Sequence, residues 1–380
     1  MSGAGTPNSS SAASSGGSVL PPPPLALGVS NKFIPQVSVN ENVVCATVQG
    51  NRDYQEDSFS FLKIDDNSEE TSLKPLALYG VYDGHGGSEA STFCRTHLLS
   101  TIMESLNDFS SLDTIKDGVV RGFIETEKYF KIPPTPFGYS PVSGACLLVA
   151  IVFKNFLVLA SAGDVRSLLV YADGTHEQVS VEHPATLVEE TERIHAAGLH
   201  ISAGRVNGSL AVARSLGDFN LKVGIWAEDF HGILNDPHKH AVTCVPQITV
   251  IHPKKKPHML LLMSDGVGEG PGMTSDFIAE SSKTVPPEEL AKFIVQTSLD
   301  RGSQDNITCM TIPLGSLNCD PPTPLAIGKM SGCVQEVFHE DGGDMTPSLL
   351  GYASGGYTGS DEGAPTLGTY AESIDLEAVD

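Results

Sequence analysis

Between residues 41 and 318 the chain alternates short apolar runs with clusters of turn-forming residues. Seven runs, at 76–82, 145–153, 156–162, 167–171, 247–251, 259–264 and 306–312, are short and β-rich, which predicts strands. Three stretches carry helical signals instead. The segment 87–106 follows a glycine loop, and 288–299 follows the pair Pro286-Pro287. In 187–197 acids come early and Arg193 and His195 come late, as a helix dipole favours. Antiparallel sheets covered by helices, an α+β architecture, suit this mixture.

The flanks differ from this middle. Residues 1–40 are rich in Ser, Gly and Pro, with Lys32 as the single charged side chain. They cannot bury enough apolar surface to offset the entropy of ordering, so a disordered tail is expected. Residues 319–380 carry eleven acids against one base, Lys329, and are rich in Gly, Ser and Thr. A second, mostly disordered acidic tail is expected there. The folded domain is accordingly expected over 41–318.

Charge narrows the partners. The net charge is −23 over 380 residues, which disfavours nucleic acid and anionic lipid surfaces. No stretch approaches 18 apolar residues, so no membrane span is expected. The first residues also lack the basic and apolar regions of a signal peptide. The seven cysteines are scattered, with no CxxC pair. That pattern is neither a disulfide framework nor a zinc site. It points to a reducing intracellular compartment, the cytoplasm, with the nucleus also open; Lys254-Lys255-Lys256 is too short to serve as a nuclear signal by itself. A monomer is expected.

Four acidic clusters stand beside the expected strands. Asp83-Gly84-His85-Gly86-Gly87 follows the run 76–82, and Asp265-Gly266 closes the run 259–264. Asp305 lies in Gly302-Ser303-Gln304-Asp305-Asn306, where another run begins. Glu56 and Asp57 follow Arg52 by four and five residues. Taken singly, each reads as a turn, since Asp-Gly and Asp-Asn are common turn dipeptides. Taken together, they read as oxygen ligands for a hard cation such as Mg²⁺ or Mn²⁺. Carboxylates crowded together repel one another unless a cation neutralises them.

Eight segments in order now carry a resemblance. They are Arg52-Asp-Tyr-Gln-Glu56-Asp57, Val81-Tyr-Asp83-Gly84-His85-Gly86-Gly87, Ser143-Gly144-Ala145-Cys146, Ala162-Gly163-Asp164-Val165-Arg166, Gly204-Arg205-Val206-Asn207-Gly208, Leu210-Ala-Val-Ala-Arg214-Ser-Leu-Gly217-Asp218, Ser264-Asp265-Gly266 and Gly302-Ser303-Gln304-Asp305-Asn306-Ile307-Thr308. Over residues 45–312 the chain resembles protein phosphatase 2C, the metal-dependent serine/threonine phosphatases. The resemblance implies a four-layer sandwich: two antiparallel β-sheets flanked by helices on both sides, with a dinuclear metal site at one end. It implies two Mg²⁺ or Mn²⁺ ions and phosphorylated proteins as substrates. Asp83 would bridge the two ions and the Gly84 carbonyl would ligate one. Asp265 and Asp305 would ligate the other, and Glu56 and Asp57 would hold metal-bound waters. Arg52 would bind the phosphate with its planar fork. His85 would protonate the leaving oxygen, a role its ordinary pKa of ~6.5 suits. Asp164 fits either a third, weaker metal or a structural turn.

Several positions depart from the family pattern. Cys146 stands where threonine is common, Glu269 where a further aspartate is common, and Gly268 where tryptophan is usual. Glu182-His183-Pro184 lacks a basic residue. Residues 224–240 read as an enlarged loop carrying the single tryptophan, Trp226, with His231, His238 and His240. None of these removes Asp83, Asp265 or Asp305, which argues against a catalytically inactive scaffold. A phosphatase of small phosphoesters is the other rival.

Overall fold

A computed structural model describes residues 32–64, 73–131, 142–315, 317 and 334–337. Along the chain run β1 (Gln36–Asn40), β2 (Val43–Val48), β3 (Ser58–Lys63), β4 (Ala77–His85), α1 (Glu89–Ser105), α2 (Leu112–Lys131) and β5 (Gly144–Val152). Then come β6 (Leu157–Ala162), β7 (Arg166–Tyr171), β8 (His176–Gln178), α3 (Val188–Ala196), β9 (Ile201–Ser202), β10 (Arg205–Val206), β11 (Leu216–Gly217) and α4 (Phe230–Leu234). The last elements are β12 (Gln247–Ile251), β13 (Pro257–Met263), α5 (Gly266–Glu269), α6 (Ser275–Thr284), α7 (Pro287–Asp300), β14 (Ile307–Pro313) and β15 (Val334–Val337).

Two sheets stack face to face. One has the order β1-β2-β14-β13-β7-β8. The other has the order β15-β12-β6-β5-β4-β3, with β11 paired to β5. Every pairing within them is antiparallel except β12 with β15. Helices α1 and α2 cover the outer face of the second sheet, and α6 and α7 cover the outer face of the first. This is the four-layer α+β sandwich that the resemblance implies.

The pleat explains why the central strands read as unbroken apolar runs. In β5, Ala145, Leu147, Val149 and Ile151 face the α1–α2 layer, while Cys146, Leu148 and Ala150 face the opposing sheet. In β13, Leu260 and Leu262 point into the sandwich, and Met259, Leu261 and Met263 point toward α6 and α7. Both faces are dry, so no polar alternation is left to see. In α1, Ala90, Cys94, Leu98 and Ile102 recur every fourth residue and bury one stripe. In α7, Pro287 opens the helix, Glu288 and Glu289 occupy the first turn, and Leu290, Ala291, Ile294, Val295 and Ser298 are buried.

One expectation about the flanks needs correction, and a short strand lies within the acidic segment. Residues 36–40, expected to lie in the disordered N-terminal segment, form β1 and pair with β2 from Gln36↔Thr47 to Asn40↔Val43. Backbone ladder bonds to an inner strand hold this edge, so its sparse burial does not prevent ordering. Residues 334–337, within the acidic segment, pair with β12 as β15. Residues 1–31 and, apart from β15, the acidic segment 319–380 lie outside the described residues. A satellite core of Ala185, Ile194, Ala197, Val206, Ala213, Leu221, Ile233, Ala241 and Val242 gathers α3, α4 and the β9–β10 ribbon. The enlarged loop 224–240 belongs to this unit: Ile233 and His240 are buried, whereas Trp226 is 86% exposed. Its histidines form no metal-binding group among the described residues.

Candidate active site

The antiparallel pairing brings all the acidic motifs to one end of the sandwich. Asp83 and His85 are at the C-terminal end of β4, and β3, its neighbour, starts just after Glu56-Asp57. Asp265 follows β13, and Asp305 precedes β14, its antiparallel partner. Asp164 lies in the turn that crosses from β6 of one sheet to β7 of the other. Residues more than 200 positions apart in sequence therefore meet because strands reverse direction, not because they are neighbours in the chain.

Asp83, Asp164 and Asp265 each offer an oxygen, and these lie within 4.8 Å of one another. Asp164 thus joins the acidic group as well as the turn. Asp83 Oδ2 also accepts from the Asp265 amide at 3.3 Å. Asp305 lies beside the trio, its Oδ2 held by Arg52 Nη2 at 2.5 Å. Asp57 is buried, and its Oδ2 accepts from Ser264 Oγ (2.9 Å) and Thr308 Oγ1 (2.7 Å). Its Oδ1 is buried with no hydrogen-bond partner among the described residues. Glu56 Oε1 accepts from the Gly87 amide at 2.6 Å, tying that carboxylate to the glycine loop. Gly84 follows Asp83 directly and pairs with Ala145 of β5.

The electrostatics are those of an unneutralised acidic cleft. Burial, then the charges of Asp57, Asp265, Asp164 and Asp305, hold the Asp83 carboxyl well above the usual carboxylate range. Burial pushes Asp57 up to about 7, against the opposing bonds from Thr308 and Ser264. Burial and the charges of Asp164 and Asp305 push Asp265 up to about 6. Asp305 is raised by burial, with the Asn306 amide and Arg52 pulling the other way. Buried, mutually repelling oxygens, one of them without a partner, fit a divalent cation. Asp83, Asp164, Asp265, Asp305 and the Gly84 carbonyl are the residues that could hold it, directly or through water with Glu56 and Asp57.

His85 Nε2 lies 2.7 Å from Asp218 Oδ2. Burial alone would lower its pKa, but the hydrogen bond and charge of Asp218, with Asp164 and Glu56, raise it. Asp218 was not singled out from the sequence, although it closes the segment Leu216-Gly217-Asp218. Its signals are its place at the end of one of the eight resembling segments and a short acid after a glycine, a pair that marks a turn. Gly144 shows how tightly the site is built. A Cβ there would come 2.0 Å from Asp218 Oδ2 and 2.4 Å from His85 Nε2.

Asn306 organises the Arg52 loop. Its Oδ1 accepts from the Glu56 amide (2.8 Å), and its Nδ2 donates to the carbonyls of Gln49 (2.7 Å) and Tyr54 (2.9 Å). Asn306→Ala is expected to cost about 2 kcal/mol in stability, because three part-buried backbone groups lose a partner. It should also lower kcat/KM roughly tenfold by loosening Arg52 and Glu56. Thermal unfolding and steady-state kinetics check this, and unchanged values for both would refute the role given to Asn306.

The departures from the family pattern also find places. Glu269 Oε2 accepts from the Gln304 amide (3.1 Å) and Ser303 Oγ (3.3 Å), bracing the Asp305 loop from outside the trio. The Arg166 guanidinium fills the space beside Gly268, where a Cβ would lie 1.6 Å from Nη2. Cys146 pairs with Asp83 across the ladder. Burial and the charges of Asp164 and Asp83 push its thiol pKa well up, so it stays neutral. His183 contacts Gly163 and Gln247 Oε1 (3.2 Å), and burial pushes its pKa down to about 4.

A two-sheet, two-helix-layer sandwich with an acidic cleft at one end, flanked by an arginine and a histidine, is the arrangement that the resemblance to protein phosphatase 2C implies. The protein phosphatase 2C profile matches residues 42–307, and the chain belongs to that family. Among its relatives is the probable protein phosphatase 2C 2 of Arabidopsis thaliana, 29% identical over 70% of this chain and 65% of that protein. Another is the probable protein phosphatase 1N of Homo sapiens, 31% identical over 65% of this chain and 54% of that protein. The chain thus spans less than two thirds of these relatives' length. Similar solved structures include a serine-threonine phosphatase 2C from Toxoplasma gondii, with a TM-score of 0.58 and 17% identity over 74% of this chain and 97% of that one. A Caenorhabditis elegans sex determining protein aligns with a TM-score of 0.57 and 22% identity over 72% of this chain and 64% of that one. At these identities the two structures support the fold.

Proposed function

We propose that this protein hydrolyses phosphoserine and phosphothreonine in other proteins at a site holding two Mg²⁺ or Mn²⁺ ions, with Asp164 available to a third. The observation that carries the reading is the meeting of Asp83, Asp164 and Asp265 within 4.8 Å at the sandwich end, beside Arg52 and His85. Cations bound there supply Lewis-acid charge that lowers the pKa of water and neutralises phosphoryl oxygens. Arg52 is half-exposed and reaches the cleft edge through Asp305, so its planar fork can turn to an incoming phosphate. His85, with its raised pKa, gives its proton to the serine or threonine oxygen as the P–O bond breaks. Water supplies the oxygen retained on phosphate. The five free, buried cysteines among the described residues support a reducing, intracellular setting. Among those residues no helix is long and apolar enough to cross a membrane.

The decisive experiment is phosphate release from a phosphothreonine peptide with Mn²⁺, with Mg²⁺ and with chelator. Release that requires metal is expected; none from folded, metal-supplemented protein would favour the inactive scaffold instead. A panel of phosphorylated metabolites run alongside tests the small-substrate rival. His85→Ala should lower turnover of the peptide about 100-fold. It should lower turnover of p-nitrophenyl phosphate far less, because that leaving group needs little protonation. Equal losses on both would show His85 to be structural.

A further inference from the structure

We propose that Asp218 is the positioning residue that fixes His85 for proton donation, held in turn by a buried Lys222–Glu127 pair; this rests on the general-acid reading of His85. Asp218 is 3% exposed and adopts φ +48°, a left-handed conformation that a non-glycine residue rarely takes. Its amide donates to the Ser143 carbonyl at 3.1 Å, and its carbonyl accepts from the Leu221 amide at 2.8 Å, so the turn is locked at both ends. Its Oδ2 receives two bonds, from His85 Nε2 at 2.7 Å and from Ser215 Oγ at 2.5 Å.

The scaffold behind this turn is ionic and dry. Lys222 Nζ donates to Glu127 Oε1 at 2.6 Å and to the Ser215 carbonyl at 3.3 Å. Glu127 Oε1 also accepts from the Gly217 amide at 3.2 Å. Glu127 sits on α2, so one helix holds the segment 215–222 from behind while Asp218 reaches forward to the imidazole. A buried charge pair of this kind is costly to assemble and is a weak stabiliser by itself. Fixing the backbone of a strained turn is a use that suits it.

The consequence for His85 is chemical. A carboxylate accepting at Nε2 selects the form with its proton on that nitrogen. When the ring is protonated, Nδ1–H is the proton left to give. Asp218 holds the ring, and the proton it donates leaves from the opposite nitrogen to the substrate oxygen.

Asp218→Asn keeps the shape and removes the charge. With saturating metal it is expected to lower kcat on a phosphothreonine peptide about 100-fold with KM little changed. Turnover of p-nitrophenyl phosphate should stay within about threefold of the parent. In a His85→Ala background the same substitution should add no further loss on the peptide. In the metal-free parent protein, ¹⁵N NMR of the histidine rings should show His85 protonated at Nε2. Equal loss on both substrates, full additivity with His85→Ala, or an unprotonated Nε2 in the parent would each overturn the inference. The NMR arm decides the matter even where Asp218→Asn does not fold. A parent protein inactive on both substrates would sink the phosphatase reading and this inference with it. An active parent with a uniform loss would sink this inference alone.

Discussion

Replacing Asp83 by Asn is expected to lower phosphate release by at least about 1000-fold while leaving the metal-free protein as stable as the parent or more so. The two effects have one cause. Asp83 is the most central acid of the cleft, raised by burial and by four neighbouring carboxylates. In the metal-free fold its charge is a burden, so an uncharged isostere relieves repulsion. Under the proposed function the same charge is the attraction that would hold the cations, so the isostere is expected to lose them. Enzyme assays, differential scanning calorimetry with chelator and titration calorimetry with Mn²⁺ measure the three quantities. A variant that retains activity and metal affinity would remove Asp83 from the site. A variant that unfolds without metal would show Asp83 to be a structural acid, contrary to the electrostatics described above.

Metal should stabilise the protein more strongly as pH rises. Asp57 and Asp265 keep their protons to about pH 7 and 6, and Asp83 higher than the ordinary 3.8. Between about pH 4 and 7 the folded, metal-free chain therefore binds more protons than the unfolded one, and these groups make its stability fall as pH rises. The loss is on the order of a few kcal/mol across that window. Cations bound as proposed would replace those protons, so the gain on adding Mn²⁺ is expected to be largest at pH 8 and small near pH 5. At about 1000-fold excess over Kd, binding contributes about 4 kcal/mol, or on the order of 10 °C in Tm for a domain of this size. Thermal melts at pH 5, 6.5 and 8, with and without Mn²⁺, test the trend. A metal-induced shift that is equal at all three pH values would contradict the shared-proton account of the cleft.

The sequence disclosed the strands of the sandwich better than its edges. Long dry runs such as 145–153 and 247–251 read plainly, because two buried faces leave nothing but apolar residues. Helix α2 was not foreseen. Its stripe of Ile115, Val119, Phe123 and Phe130 is interrupted by Gly118 and Gly122, which read as breakers. The structure gives the reason for Gly122: a Cβ there would lie 2.7 Å from the Ile102 Cα, so the glycine permits α1 and α2 to touch. Strands β2 and β3 were also unread. The β3 residues Phe59 and Phe61 are only partly buried, so its pattern is mixed. At the site, motif order supplied Asp83, Asp265, Asp305, Arg52 and His85. It could not supply Asp218's grip on His85 or Glu269's turn toward Gln304, because those depend on backbone geometry that spacing does not encode.

The acids of the cleft come from opposite halves of the sandwich. Asp83 belongs to one sheet, Asp265 and Asp305 to the other, and Asp164 to the turn between them. Their spacing is therefore a caliper set across the sheet–sheet interface. A slide of one sheet over the other by a fraction of an ångström would open or close it. A quiet exchange of one apolar side chain at Leu148 or Leu260, deep in that interface, should then register at the rim as altered cation affinity. By reciprocity, an ion seated in the caliper would clamp the two sheets and damp their shear.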